Sequence, residues 1–193
     1  MRRALLSSCA CLAALAAGCG NHRAKTPDVD EPLAPTGHVT ADYPGAGLSF
    51  QAPRNWARST GQAPLVATVT SGLATVAIWR YDRTEPLPRR PVDLKFARDE
   101  LVNAAKTRDK TLSLQSSQIL DVGGIHAVEL LGDETIDGAP RHVRSTHLYD
   151  RAGKAEIVID AYAPPERFDR VNRKVFAPLL ASLKVGSAGS SRR

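Results

Sequence analysis

The sequence predicts an α+β fold, in which an antiparallel β-sheet of six to seven strands packs against two main helices. Runs rich in β-branched residues flank short glycine-containing turns, which is typical of β-hairpins. Two other segments, one central and one near the end of the chain, carry apolar residues at helical spacing. The resulting order is β-β-β-α-β-β-β-β-α, and its consecutive hairpins favour an antiparallel meander.

Three strands are predicted before the first helix. Residues Leu48–Pro53 alternate apolar and polar side chains and end at a proline, which indicates a strand. The turn that follows contains Trp56, and we expect this large side chain to fold back onto the core. Residues 64–70 and 73–81 flank a Ser-Gly pair, so they are predicted to form a hairpin.

The first helix is predicted over residues 92–109, after a proline-rich loop at 82–91. Pro91 stands just before it, where the missing N–H costs nothing. Apolar residues recur at i, i+3, i+7 and i+10, and we expect the stripe that they form to face the sheet. They are Leu94, Ala97, Leu101 and Ala104.

The four strands after this helix are predicted to form two further hairpins. Their ranges are 111–122, 125–133, 139–150 and 154–163. A Gly-Gly pair separates the first two strands, and Arg-Ala-Gly separates the last two. Asp137-Gly138 marks the turn between the two hairpins.

The second helix is predicted over residues 165–183, with a short strand at Val185 after it. Its apolar stripe consists of Phe168, Val171, Val175 and Leu179. Pro178 lies inside this pattern and has no backbone N–H, so we expect a kink that frees the carbonyl oxygen of Lys174.

Both ends of the predicted domain carry longer motifs. LSFQAPRNW at 48–56 resembles the apolar-Ser-Phe-x-x-Pro-x-x-Trp start of PsbP-like domains, and AYAPP and FAPLLASLK within 161–184 resemble their final strand and helix. The resemblance covers residues 47–185 and implies an α/β/α sandwich. The family includes a photosystem extrinsic subunit, Ran-binding Mog proteins and actinobacterial Lpq-type lipoproteins, which implies a non-enzymatic module. None of its functional residues can be matched to a position here.

The first 19 residues, MRRALLSSCACLAALAAGC, read as an export leader. Two arginines precede an apolar run at 4–17, which is too short to span a bilayer. Ala17-Gly18-Cys19 resembles the lipobox of bacterial lipoproteins, although Ala16 stands where leucine is commonest. The resemblance implies a signal peptide at 1–18, cleavage before Cys19 and a diacylglyceryl thioether on that cysteine. The alternative is an ordinary signal peptide cut after Ala16, which would release a secreted protein.

A proline-rich stretch without apolar periodicity follows the leader. It predicts a flexible tether at 19–46, a single domain at 47–185 and a flexible tail at 186–193. With palmitate-type acyl chains on Cys19, the domain is expected at the extracytoplasmic face of the cell membrane.

Composition excludes several classes of protein. The aromatic content of 5% argues against a stacking surface for nucleic acid. Removing the two leader arginines from the formal net charge of +6 leaves +4, which is too weak to indicate DNA binding. Cys9 and Cys11 leave with the leader, so no internal disulfide is expected. We expect a monomer without a cofactor.

No catalytic or metal-binding motif stands out. The serines lack a Gly-x-Ser-x-Gly context, and no phosphate loop or zinc-ligand cluster occurs. His142 and His147 are five residues apart on one strand, so they are predicted to point to opposite faces, with His147 hydrogen-bonded in the sheet and His142 facing solvent. Asp133, Glu134 and Asp137, with Glu129 nearby, are interpreted as a solvated acidic turn.

Two sets of residues remain as candidate binding sites. Cations in and around the proline-rich loop are a candidate site for phospholipid headgroups or an anionic wall polymer: Arg80, Arg83, Arg89, Arg90 and Lys95. Four aromatic residues are candidates to line an apolar cavity between sheet and helix: Trp79, Phe96, Phe168 and Phe176.

Three functions are therefore considered. The first is a non-enzymatic binding or accessory module of the cell envelope, whose partner is another envelope protein. The second is a lipid or glycolipid carrier. The third is a hydrolase with an unrecognised site.

Overall fold

The computed structural model describes residues 28–186. The leader, Cys19 and the residues beyond 186 therefore lie outside the described part of the chain. Residues 28–186 form ten strands and three α-helices. The strands are β1 (His38–Tyr43), β2 (Leu48–Pro53), β3 (Ala57–Thr60), β4 (Leu65–Ser71), β5 (Ala74–Asp82), β6 (Ser113–Val122), β7 (Ile125–Ile136), β8 (Ala139–Asp150), β9 (Ala155–Ala163) and β10 (Lys184–Val185). The helices are α1 (Pro91–Arg108), α2 (Pro165–Val171) and α3 (Ala177–Ala181).

Seven of the strands form one antiparallel sheet in the order β3-β4-β5-β9-β8-β7-β6. The predicted antiparallel sheet of six to seven strands is thereby confirmed. The turn between β6 and β7 contains Gly123 and Gly124, and that between β7 and β8 contains Asp137 and Gly138. All four have positive φ, as two-residue hairpin turns require.

The first predicted strand lies elsewhere. β2 pairs with β1 and β10 in a separate three-stranded sheet, which the sequence analysis did not predict. Its buried face, which includes Leu48 and Phe50, packs in the same core cluster as Ile157 of the large sheet and Trp56 of the turn after β2. Because this small sheet covers part of the large one, Trp56 is buried as expected, with 3% of its surface exposed.

The two faces of the large sheet carry different layers. One face packs against the small sheet and the C-terminal helices, and this larger core includes Leu148, Phe168 and Leu179. The other face packs against α1 through a smaller cluster centred on Leu94 and Val128. The predicted arrangement of two helical layers around a sheet is therefore present.

The buried stripe of α1 differs from the prediction by one residue. Leu94 is buried, and Ala97 and Leu101 are partly buried against the same cluster, but Ala105 takes the place of Ala104, which is exposed. A repeat of i, i+7, i+11 stays closer to the 3.6-residue helical period than i, i+7, i+10.

The C-terminal helical segment is interrupted by a π-helical turn at Asn172–Phe176, directly before the α-helix that contains Pro178. The kink that the sequence predicts at Pro178 stays a prediction. The N–H of Ala177 bonds to the carbonyl oxygen of Asn172, five residues back. Single π-helical turns are a known cause of bends in helices. The turn separates α2 from α3 and keeps Val175 and Phe176 buried.

The predicted tether is wrong over residues 28–46, which are ordered on the domain. His38–Tyr43 form β1, and the backbone N–H of Leu73 donates to the carbonyl oxygen of Asp30 at 3.0 Å. The indole N–H of Trp56 donates to the carbonyl oxygen of Leu33 at 3.0 Å. Prolines exclude helix but tolerate an edge strand and extended chain, and no proline lies within 38–43.

Pairing of the strands defines two ends of the large sheet. The proximal end carries residues 28–37 and the turns at Gly72 and Asp137. The distal end carries the loop at 83–90 and the β8–β9 turn at 151–154.

Candidate functional site

The predicted cationic loop divides into buried and exposed members. Arg80 is only 8% exposed in its side chain, 3.5 Å from Asp150 and 3.6 Å from Asp82. Arg90 pairs with Asp93 at 2.8 Å, and the two cap the start of α1. Lys95 is exposed on α1. Arg80 and Arg90 are therefore each paired with a carboxylate of the fold. The five cations were predicted to form one anion-binding surface, and they do not.

A different set of cations surrounds a cleft at the distal end. Arg83 and Arg89 of the loop lie beside Arg151 and Lys154 of the β8–β9 turn. The cleft has a volume of about 260 Å³, and Glu85 is the one carboxylate on its wall among the described residues. We call these four cations and their cleft the distal cleft. Arg151 and Lys154 could not be assigned to this site from the sequence, because they lie about 60 residues or more from the loop.

Buried contacts beneath the distal cleft hold the β8–β9 turn in place. Asp150 Oδ1 accepts a hydrogen bond from the N–H of Gly153 at 2.9 Å, and Arg80 Nη2 donates to the carbonyl oxygen of Gly153 at 3.2 Å. The N–H of Arg83 donates to the carbonyl oxygen of Lys154 at 2.7 Å, which joins the loop to the turn.

The four predicted pocket residues do not come together. Phe168 and Phe176 are core residues whose ring centroids lie 5.8 Å apart. Trp79 is partly buried on the other face of the sheet, and Phe96 is 67% exposed on α1. The prediction fails because strand alternation places Trp79 opposite the core residue Ile78, and because Phe96 lies outside the buried stripe of α1.

An apolar groove lies instead at the proximal end, between residues 28–35 and the C-terminal helix. Its volume is about 450 Å³. The floor includes Leu33, Trp56 and Val175, and Arg170 and Lys174 stand at its rim. Volumes of this size are typical of small-ligand sites.

A chain of hydrogen bonds crosses the face of the sheet that α1 covers in part. His147 Nδ1 lies 2.7 Å from Glu156 Oε1, and His147 Nε2 lies 3.3 Å from Ser145 Oγ. Arg83 donates to the other oxygen of Glu156. The predicted role of His147 as a hydrogen-bonded residue of the sheet is confirmed.

The hydrogen bonds that connect Ser145, His147 and Glu156 resemble a Ser-His-Glu catalytic triad, but the Ser145 hydroxyl group is oriented differently from the serine of a triad. Ser145 Oγ donates to Asp160 Oδ1 at 2.5 Å, much closer than its 3.3 Å to His147. In a triad the serine donates to the histidine, which acts as the base. The geometry therefore favours a structural network over an activated nucleophile.

Burial and hydrogen bonding act in opposite directions on the two carboxyl groups. Burial acts to raise the pKa of Glu156, but hydrogen bonds and charges of His147 and Arg83 outweigh it and leave that pKa below its usual value. Burial raises the pKa of Asp160, against the hydrogen bond from Ser145. Glu156 is therefore stabilised in its anionic form, whereas burial destabilises the anionic form of Asp160.

The predicted solvated acidic turn is wrong in part. β7 extends to Ile136, so Asp133 and Glu134 lie within the strand. Glu129 is 6% exposed and accepts a hydrogen bond from Arg144 Nε at 2.5 Å.

The prediction that His142 faces solvent is wrong. Its side chain is 13% exposed, with Nδ1 2.6 Å from Asp133 Oδ1 and the ring edge-on to Phe168 at 4.3 Å. His147 lines a small cleft with Leu101 and Ala105 of α1 on the other face. The prediction that the two histidines face opposite sides is confirmed.

Residues 28–186 contain neither a candidate membrane-spanning helix nor a candidate metal-ligand cluster. No helix in this range is both long and apolar enough to cross a bilayer. Nor do the same residues contain three or more His, Cys, Asp or Glu side chains grouped so that they could hold a metal ion.

Comparison with solved structures assigns the fold. CyanoP, the cyanobacterial PsbP of Synechocystis sp. PCC 6803, superposes with a TM-score of 0.55 at 15% identity, over 80% of this chain and 94% of that one. The chain has a PsbP-like fold. The PsbP-like fold is shared with LpqN of Mycobacterium tuberculosis, at a TM-score of 0.55 and 14% identity over 77% and 90% of the two chains.

The Ran-binding protein Mog1p of Saccharomyces cerevisiae also has this fold, with a TM-score of 0.52 at 7% identity, over 78% of this chain and 96% of that one. No protein-family model matches the sequence, and no curated protein matches it. The PsbP-like fold is therefore established by structure.

Proposed function

We propose that the chain is a lipid-anchored lipoprotein of the extracytoplasmic membrane face, and that its PsbP-like domain is a non-enzymatic binding module. The leader and the lipobox-like sequence at Cys19 support the anchor. LpqN, which shares the fold, is involved in cell envelope biogenesis, and we propose a role at the cell envelope for this chain as well.

The distal cleft is the observation that carries the binding role. It is a concave, cationic site on a rigid scaffold, and rigid scaffolds that present loops are a common design of binding proteins. The Ser145–His147–Glu156 chain does not favour a hydrolase, because the serine hydroxyl donates to Asp160.

The position of residues 28–37 at the proximal end gives the proposed anchor a direction. The described residues begin with Asp28 at the proximal end, and a stretch as long as that between Cys19 and Asp28 spans at most roughly 30 Å when fully extended. An anchor at Cys19 therefore keeps the proximal end near the bilayer and leaves the distal cleft accessible.

The anchor is tested on the natural product. An inhibitor of lipoprotein signal peptidase is expected to cause the larger precursor to accumulate, and mass spectrometry of the mature chain is expected to find a diacylglyceryl group on Cys19. The Cys19→Ser variant should lose both the modification and the membrane association. A mature chain that starts at residue 17 without lipid would overturn the anchor but not the binding role.

The proximal groove favours a carrier of amphiphiles as the second candidate. It offers apolar walls for an acyl chain and Lys174 for a headgroup, whereas Arg170 is paired with Glu31 of the same groove. Native mass spectrometry of the purified chain is expected to show bound lipid if the carrier function is correct. Ala34→Trp, on the groove wall, should then remove the lipid, whereas Ala57→Trp, exposed on β3, should retain it.

A further inference from the structure

We propose that the distal cleft binds a phosphate group, carried by a soluble ligand or by a lipid headgroup. This inference rests on the proposed binding role of the domain and assigns its ligand a chemical class. It does not depend on the anchor, because the cleft lies at the opposite end of the sheet from the start of the domain.

The cations of the cleft have more positive charge than their surroundings neutralise. Within residues 28–186, three of them have no salt-bridge partner: Arg89, Arg151 and Lys154. Arg83 is paired with Glu156, and Glu85 is the single carboxylate on the cleft wall. The site therefore has a surplus of about two positive charges, which a phosphate dianion would neutralise.

The fold holds these like charges together instead of letting them move apart. Lys154 has a φ of 48°, a left-handed conformation that is uncommon outside glycine. The carbonyl oxygen of Lys154 accepts the hydrogen bond from the backbone N–H of Arg83. The N–H of the preceding Gly153 donates to Asp150, and its carbonyl oxygen accepts from Arg80. A cluster of like charges on a turn fixed in this way is preorganised for an anion.

The chemistry and size of the cleft favour phosphate over other anions. Two of the free cations are arginines, whose planar guanidinium groups donate two parallel hydrogen bonds to phosphate oxygens. A volume of about 260 Å³ accommodates a phosphate ester with part of its substituent. Leu87 and Pro86 on the cleft wall supply an apolar contact for that substituent.

The site can be tested by NMR titration of the chain from residue 19 onwards, carrying Cys19→Ser, with inorganic pyrophosphate. Amide resonances of the cleft should shift and saturate: those of Arg83, Arg89, Arg151 and Lys154. Sodium chloride at equal ionic strength is the control for screening. Saturable shifts confined to the cleft support the proposal, and shifts spread over all exposed cations would overturn it.

Variants separate the cleft from net charge. The triple variant Arg89→Gln, Arg151→Gln, Lys154→Gln is expected to weaken pyrophosphate binding by about tenfold or more, since charge-assisted hydrogen bonds are lost. The matched control removes three exposed cations at the proximal end and should bind within about twofold of the parent: Arg54→Gln, Lys106→Gln and Lys110→Gln. Equal weakening by both triples would overturn the site. The single variant Arg151→Gln is measured in parallel, so that the site can still be tested if the triple variant does not fold.

Vesicles distinguish the two sources of phosphate. If a lipid headgroup is the ligand, the chain carrying Cys19→Ser should float with phosphatidylglycerol vesicles but not with phosphatidylcholine vesicles, and pyrophosphate should release it. If a soluble ligand is bound, pyrophosphate binding should occur without flotation. Absence of binding in both arms would overturn the phosphate site while leaving the Cys19 anchor untouched.

Discussion

Arg80 and Asp150 form an ion pair that is 8% exposed on both sides and lies directly under the distal cleft. Arg80 Nε and Asp150 Oδ2 are buried without a hydrogen-bond partner among the described residues. Removing one partner of such a pair leaves an uncompensated charge, which costs more than the pair itself contributes. The pair therefore makes the geometry of the β8–β9 turn sensitive to small changes in packing.

Substitution of Gly153 by alanine tests this sensitivity. An added Cβ would overlap Asp150 Oδ2 and lie 2.7 Å from Arg80 Nη2. We expect the free energy of unfolding, measured by urea denaturation, to fall by about 1–3 kcal/mol. Gly45→Ala is the control, because no atom of residues 28–186 lies within 4 Å of its added Cβ. Equal stability of both variants would show that the ion pair adjusts freely.

The hydrogen-bonded carboxylate of Glu156 makes a contribution to the stability of the fold that depends on pH. Its pKa in the folded chain lies below the ordinary value of 4.5. Its contribution to stability is therefore complete above that value and is lost as the pH falls through the lower, folded pKa. Asp160, whose pKa is raised by burial, acts in the opposite sense.

Glu156→Gln isolates this contribution. At neutral pH the variant is expected to be less stable by about 1–3 kcal/mol, since charged hydrogen bonds to His147 and Arg83 are lost. The deficit should shrink as the pH is lowered below 4.5, and urea midpoints across this range would measure it. Glu166→Gln, whose side chain is 69% exposed, should change little. A deficit that grows in acid would contradict the argument.

At the scale of the elements, the segment before β2 is part of the domain. β1 pairs with β2 over six residues, and Tyr43 stacks on Phe50 at 5.6 Å. Ser71 Oγ accepts from the N–H of Leu33 at 3.0 Å, and Glu31 forms ion pairs with two arginines of α2. These contacts connect residues 28–43 to the small sheet, the large sheet and the C-terminal helix.

Truncation tests the role of this segment. A chain that starts at residue 47, where the sequence predicts the domain to begin, lacks β1 and exposes one edge of β2. We expect its urea midpoint to fall below that of a chain starting at 28, with a chain starting at 37 in between, because burial and ladder hydrogen bonds are lost in two steps. Equal urea midpoints for all three chains would show that residues 28–46 do not stabilise the domain and act as a tether.

At the scale of the whole molecule, the proposed anchor and the distal cleft lie at opposite ends of the large sheet. β8 alone has 12 residues and spans about 40 Å between these ends. If the chain is anchored as proposed, Cys9 and Cys11 are removed with the leader, and lipid blocks the thiol of Cys19. A cysteine introduced by substitution is therefore the only free thiol expected in the anchored chain.

Energy transfer to a membrane dye tests this orientation. With the protein in lipid vesicles, a fluorophore on Thr135→Cys at the proximal end is expected to transfer more efficiently than one on Ala152→Cys at the distal end. The short segment between Cys19 and Asp28 limits how far the proximal end can leave the bilayer. Equal transfer from both labels would show that the domain lies flat or tumbles freely.

The sequence by itself determined six of the seven strands of the large sheet and the two helical segments, but not the short edge strand β3. These features depend on local periodicity and glycine turns, which are legible without knowing which elements touch. It did not reveal β1, because prolines on either side of a six-residue strand are as typical of a linker as of an edge strand.

Only the tertiary structure decided which residues form a site. Arg80 reads as one more loop cation in the sequence, but the buried carboxylate of Asp150, 70 residues away, makes it structural. Arg89 gains Arg151 and Lys154 as neighbours because the β8–β9 turn lies next to the loop before α1. Burial and the neighbours of a charge depend on strand order across the sheet, and local sequence patterns do not encode that order.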